Sequence, residues 1–330
     1  MVSLFYENKN RICFFICIII MDLVKKDYIF MSIVERGDNM DNIRCIICGQ
    51  LKNGSDEHII PKSLGNETLR INNICKECND GLGQYVDEHL VNNFVSQLIR
   101  QQLKLRGQSK TIPNPFKKGV DSEGNIINVD DQFRPFLNPK VIEKEETIQI
   151  LSATEEEAVK IAKKKLKRKG FSDEEIKNRI DNMKKQEVEG YTPKIYYNIE
   201  INMKKIFLGL LKIAYEYAYY TFGDIFYNDK TAKEIRDILL DATKGIFDKE
   251  YEKIYTLPSN IIDNIRNLDL KCHLLEFFKT NDNKLMLCII LFFEPILSGC
   301  ICISENASIY DINNRQTFFI VDIKNSEYEI

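Results

Sequence analysis

Cys45-Ile-Ile-Cys48 and Cys75-Lys-Glu-Cys78 are two CxxC pairs with 26 residues between them, and no other feature of the chain restricts its folding so narrowly. Four thiolates at this spacing satisfy one tetrahedral zinc ion, each pair presenting both sulfurs from one tight turn. Gly49 suits the turn that closes the first pair. A simple zinc ribbon needs a shorter insert, so the excess has room for a strand, a loop and the start of a helix. Ten cysteines in 330 residues do not make a disulfide scaffold. The paired four therefore point to Zn2+ in a reducing, cytoplasmic setting. A thiol redox role for the same pairs is the competing reading. Cys272, Cys288, Cys300 and Cys302 lie in apolar, strand-like stretches and read as core, the alternative being a second metal site at Cys300 and Cys302 with His273.

Between the pairs runs Ser55-Asp56-Glu57-His58-Ile59-Ile60-Pro61, and Asn79 follows the last cysteine directly. Histidine is the side chain best suited to take a proton near neutral pH. A carboxylate beside it can bind a hard divalent cation. Alternate residues of a strand face opposite sides, so Glu57 and His58 converge only at a strand end entering a loop. Pro61 keeps Ile60 out of helix, and Gly65-Asn66 supplies a turn. A second Asp-Glu-His, at 87–89, falls on an expected amphipathic helix without proline or knuckle nearby, so His89 reads as a surface or weakly supporting residue.

Taken together, Cys-x-x-Cys-Gly, Glu-His-Ile-Ile-Pro-Lys-Ser-Leu-Gly and Cys-x-x-Cys-Asn resemble an HNH endonuclease of the zinc-knuckle type. The resemblance covers residues 45–83 and the helix after them. It implies a ββα-metal finger with a structural zinc on Cys45, Cys48, Cys75 and Cys78. It implies His58 as the general base that activates water, and Glu57 and Asn79 as ligands of a separate catalytic ion. Oxygen donors suit Mg2+ or Mn2+ in that second site. The middle Asn of the motif, which orients the base, falls on Asn73 or Asn72, although a simple count from Asn79 lands nearer Arg70. The implied reaction is hydrolysis of a phosphodiester in nucleic acid, DNA in the first instance, leaving 5′-phosphate and 3′-hydroxyl ends. A zinc-held module that grips nucleic acid or protein without cutting is the alternative.

The rest of the chain says less about chemistry. A net charge of −3 excludes a bulk polycation, so nucleic-acid contacts must come from local patches. One candidate is the helix 154–169, where Lys160, Lys163, Lys164, Lys167 and Arg168 share a face. A solvated surface helix with a dipole-matched charge distribution explains the same pattern. Arg100, Lys104 and Arg106 form a smaller basic patch. Tyr215, Tyr217, Tyr219 and Tyr220 are placed to stack on bases, but the leucines and isoleucines around them favour a packed helix.

Helices are expected over 86–106, 154–169, 172–186, 204–222 and 231–247, with strands over 147–151, 195–203 and both sides of the turn 281–284. The fold class is α+β: an HNH finger with its following helix over 40–110, then a larger α+β domain over 111–330, with central helices and C-terminal antiparallel strands. The apolar run from Ile12 to Met21 is too short to span a bilayer as a helix and lacks a small-x-small cleavage site, so no membrane attachment is expected. Residues 1–39 read as an untranslated or disordered leader, because 35–40 match a purine-rich ribosome-binding sequence followed by a start codon. The functional protein is expected to begin at Met40, which intact mass decides. A homodimer is left open.

Overall fold

The computed structural model describes residues 42–107, 110–122, 124, 126–136, 139–144, 147–152, 154–186, 194–257, 272–312 and 318–323. The expected leader over 1–39 and its apolar run lie outside them. Among the described residues no helix is long and apolar enough to cross a membrane.

Two compact units emerge, one from residues up to Pro113 together with those from Ile201 onward, the other from Asn114–Glu200. The first begins with a short ribbon, β1 (Ile43–Arg44) against β2 (Leu51–Lys52), which carries the first knuckle in its turn. Next come β3 (Gly54–His58) and β4 (Arg70–Cys75), paired antiparallel, and α1 (Lys76–Leu82), giving the expected ββα arrangement. A π-helical turn (Gly83–Asp87) leads into α2 (Glu88–Asn92) and α3 (Phe94–Gln102). The single helix expected over 86–106 is broken at Asn93, which takes extended dihedrals. Its carbonyl oxygen accepts from the Ser96 amide at 3.0 Å and its amide donates to Leu90 O at 2.7 Å. An asparagine at an apolar-spaced site thus caps a new helix instead of continuing the old one. Arg100, expected in a surface basic patch, is buried and donates to Val91 O. Its stem lies on the inward face of α3, so it adds no surface charge.

The second unit holds a three-stranded sheet, β5 (Lys118–Val120), β6 (Ile126–Val129) and β7 (Pro135–Phe136), and the hairpin β8 (Lys140–Glu143) with β9 (Ile148–Leu151). Helices α4 (Glu155–Arg168) and α5 (Asp173–Asp181) start on the expected caps. Thr154 accepts from the Glu157 amide, and Ser172 with Glu175 closes a full capping box. Lys160, Lys163, Lys164, Lys167 and Arg168 are all exposed on α4, while Lys165 and Lys169 pair with Glu143. The strand expected over 195–203 is reduced to one bridge, Tyr196 with Val120. Asn202 ends it by capping the next helix.

That helix, α6 (Met203–Phe222), returns the chain to the first unit, followed by α7 (Asp224–Tyr227) and α8 (Lys230–Ala242). Gly245, at φ +74, stops α8 short of the expected Phe247. The chain closes on an antiparallel sheet of β10 (Ile254–Tyr255), β11 (Cys272–Lys279), β12 (Leu285–Leu291), β13 (Ser298–Ser304) and β14 (Phe318–Asp322), in the order β10-β13-β12-β11-β14. Where the sequence reading divides the chain once, at residue 110, the elements after residue 200 share the core of the finger. Ile46, Leu82 and Leu90 lie in one apolar cluster with Leu210, Tyr215, Phe277 and Leu287. A finger of this size has too little apolar surface to build such a core unaided. Tyr215 and Tyr217 are buried in it, as the packed-helix reading expects, whereas Tyr220 is exposed. Cys272, Cys288, Cys300 and Cys302 are buried in an apolar cluster with Leu274, Met286 and Ile290, and they form no metal-ready group with His273.

His273 ties the sheet to the finger loop. It is fully buried on β11, accepts from the Phe292 amide at Nδ1 (3.2 Å) and donates from Nε2 to Leu64 O (2.9 Å). Burial holds its imidazole down at about 4, against 6.5 for a free histidine. Below pH 6.5 the unfolded chain therefore binds a proton that the native state refuses, so this contribution is intact above 6.5 and lost as pH falls toward 4. Wild type should lose about 3 kcal/mol more than His273→Gln between those limits. Paired urea melts at each pH measure the difference, and identical slopes would count against it.

Candidate functional site

The first knuckle is a closed turn in which Gly49 N donates to Cys45 O (2.8 Å) and Cys45 N to Gln50 O (2.9 Å). Gly49 takes φ +72, a conformation that favours glycine. Cys75 ends β4 and caps α1, and Cys78 lies one turn into that helix. The four sulfurs lie within 4.8 Å of one another, with Cys48 and Cys75 Sγ 3.9 Å apart. A tetrahedral site with Zn–S of about 2.3 Å requires sulfurs about 3.8 Å apart, so the cluster fits zinc. The Cys78 thiol hydrogen-bonds Cys45 and pulls it down to about 4, while burial pushes Cys75 up to about 11. Zinc binding would displace the protons still held among these thiols.

The loop that follows His58 is fixed by a buried Asn66. Its amide donates to Ile60 O (2.7 Å) and Leu69 O (2.9 Å), and its carbonyl oxygen accepts from the Leu69 amide (2.9 Å). Gly65 takes φ +95 beside Ile323, whose side chain lies 2.7 Å from where a Cβ would sit. The strand end carrying His58 is thus held from both sides.

Glu57 and His58 do separate by face. His58 is half-buried, and its Nε2 is shielded without a hydrogen-bond partner. Burial first, then the guanidinium of Arg70, holds its imidazole below the usual histidine value, with Asp56 opposing. A neutral ring at neutral pH is the form that accepts a proton. Asn79, on α1, donates to Ser55 Oγ (3.0 Å) and Asp56 O (3.3 Å), so it flanks the same strand. Glu57 instead turns inward, buried against the ammonium of Lys212.

Neither Asn72 nor Asn73 lies directly across from His58. The register runs Ser55 to Ile74 and then Glu57 to Ile71, so both asparagines oppose the single residue Asp56 across a β-bulge. The residue directly across from His58 is Arg70. Arg70 is steadied by Asp56 Oδ2 at 2.8 Å and by Glu67 O at 2.9 Å. The count from Asn79 was the sequence signal for Arg70. His89 sits apart, 2.8 Å from Lys205 Nζ and edge-on to Phe247.

Sequence reasoning missed Lys212. This fully buried lysine pairs with Glu57, donates to His58 O (3.0 Å), and lies 3.3 Å from Asp87 Oδ2 and 3.2 Å from Glu216 Oε2. Burial disfavours its charge, but Asp87, Glu216 and Glu57 more than offset that and raise it well above an ordinary lysine. Burial likewise pushes Glu57 up to about 7, against the pull of Lys212. Lys212 sits in an apolar helical run; Glu216, four residues on, is readable from helical spacing, but only the fold discloses Glu57 and Asp87.

Residues 45–95 match the family model of an HNH endonuclease. No curated protein and no solved structure matches the chain. The HNH match, with a cysteine cluster able to hold zinc, supports a nuclease-type function acting on nucleic acid.

Proposed function

We propose that the finger hydrolyses phosphodiester bonds in nucleic acid, DNA in the first instance, with His58 as general base. The observation that carries this reading is the placement of His58 within the matched residues: neutral, half-buried at a strand end, its Nε2 unpartnered, with Arg70 opposite. The imidazole takes a proton from a water whose oxygen bonds to phosphorus, and the bond from phosphorus to the 3′ oxygen breaks with that oxygen protonated from solvent. The expected products carry 5′-phosphate and 3′-hydroxyl ends. Arg70 and Lys62 give the face around His58 the positive charge that a phosphodiester seeks.

The four cysteines fit a structural zinc. The expected Mg2+ or Mn2+ site is not met in the same way, because Glu57 is occupied by Lys212; Asn79 donates its amide nitrogen to the strand, which leaves its oxygen available as a ligand. The lysine face of α4 is a candidate for backbone phosphate contacts, which would make binding fall steeply with salt.

Plasmid nicking with Mg2+ or Mn2+, comparing wild type and His58→Ala, tests the reading. The variant should lose about 10²–10⁴-fold in rate while keeping its zinc. The wild-type rate should fall on an acid limb below pH 6.5, as the lowered imidazole becomes protonated. Equal activity of the two proteins would refute the assignment. Nucleic-acid binding without any cleavage would favour a zinc-held binding module, a reading that the engagement of Glu57 by Lys212 also favours.

A further inference from the structure

We propose that Glu57 serves as the counter-ion of Lys212 rather than as a ligand of a divalent ion, and that Lys212 is the positioning residue for the strand end that carries His58. The role of His58 in this statement rests on the nuclease reading above; the ion pair does not.

Gly209, Lys212 and Tyr215 recur every three residues on α6 and share the face that meets the finger. Gly209 lets the helix approach Leu90, whose Cβ lies 2.9 Å from where a glycine Cβ would stand. Tyr215 donates its hydroxyl to Ile46 O at 2.7 Å, inside the first knuckle. Lys212 lies between these two anchor points, so its position is set by backbone packing rather than by a flexible stem. Its ammonium reaches the Glu57 carboxylate and the His58 carbonyl, with Ile59 O at 3.5 Å. These are consecutive residues at the point where β3 becomes loop. The side chain of Glu57 and the backbone of His58 are therefore gripped from the inner face, which leaves the imidazole to project from the other.

The geometry, rather than the charge count, opposes a metal at Glu57. Three carboxylates, Glu57, Asp87 and Glu216, surround one cation that is itself fully buried. For Glu57 to turn outward, its carboxylate would have to leave the ammonium and its buried position, although Asp87 and Glu216 would still neutralise Lys212. The ammonium already fills the position between the carboxylates that an ion would take. Nor do the three acids form a ready site: among the described residues, the four cysteines are the one group of His, Cys, Asp or Glu that brings three or more ligand atoms within reach of a single ion.

Glu57→Gln separates the two roles, because glutamine still offers an oxygen to the ammonium but is a poor ligand for a hard cation. The expected result is a Mn2+ midpoint for cleavage within about twofold of wild type and a kcat reduced by less than about tenfold, with KM unchanged; loss of a metal ligand would weaken the midpoint by about 100-fold or more. That larger shift, in a protein that keeps its zinc and its melting temperature, would overturn the proposal. A double-mutant cycle of Glu57→Gln with Lys212→Met in urea needs no activity. The two changes should be non-additive by at least about threefold in the unfolding constant, and additivity would overturn the proposal as well. If wild type cuts nothing but the cycle shows coupling, the nuclease reading falls and the ion pair stands.

Discussion

Cys75→Ser is expected to release zinc and unfold the finger. Structural zinc contributes about 10–16 kcal/mol of apparent binding free energy in small zinc domains, as much as or more than the whole stability of an ordinary fold. Cys75 is buried where β4 becomes α1, so its loss opens the knuckle and the start of the helix together. The damage should not stop there. Ile46 and Ile47 sit in the same core as Leu210, Tyr215 and Leu287, and the Tyr215 hydroxyl ends on the Ile46 carbonyl. Metal analysis of the reduced wild type should give one zinc per chain, and the variant close to none. Far-ultraviolet circular dichroism and hydrogen exchange should show lost protection in α1, β3, β4 and the facing side of α6. A strong chelator should do the same to wild type. Reduced, folded protein without zinc would instead support the thiol redox reading.

Lys212→Met should destabilise the protein by about 3–5 kcal/mol at neutral pH, the range for breaking a buried ion pair from one side. Three carboxylates would be left around an apolar side chain. They relieve this by holding protons, and the sign of the pH dependence follows. Glu57 is already raised to about 7 by burial in the wild type, against a usual 4.5, and removing the ammonium raises it further. A native carboxyl with a raised value binds more protons than the unfolded chain, so stability falls as pH rises above 4.5. The deficit of the variant should therefore be smallest near pH 5 and grow toward pH 8. Urea midpoints across that range measure it, and a deficit independent of pH would show that the ammonium does not alter the protonation of these acids.

Local signals in the chain were legible and positional ones were not. The knuckles, Gly49, the caps at Thr154 and Ser172, and the hairpin around 281–284 each depend on a few neighbouring residues, and each lies where the sequence puts it. Asn93 shows the limit: its spacing is that of an inward-facing position, yet its amide competes for the backbone and starts a new helix. Arg100 shows another, since charge alone gives no sign that a stem is buried. The bulge at Asn72 and Asn73 shifts register by one residue, which moves the partner of His58 to Arg70. The cluster around Lys212 joins residues more than 100 positions apart, beyond the reach of any periodicity.

The division of the chain also sets a schedule. The last knuckle cysteine is residue 78, and the helix that grips the finger ends at Phe222. At about 5–20 residues per second, the ribosome needs on the order of ten seconds to make the intervening stretch. During that interval the nascent finger has its cysteines but neither Lys212 nor Tyr215, and Glu57 has no buried cation to turn toward. Residues 114–200 lengthen that interval, so Lys212 and Tyr215 become available to the finger only after about two thirds of the chain has been made.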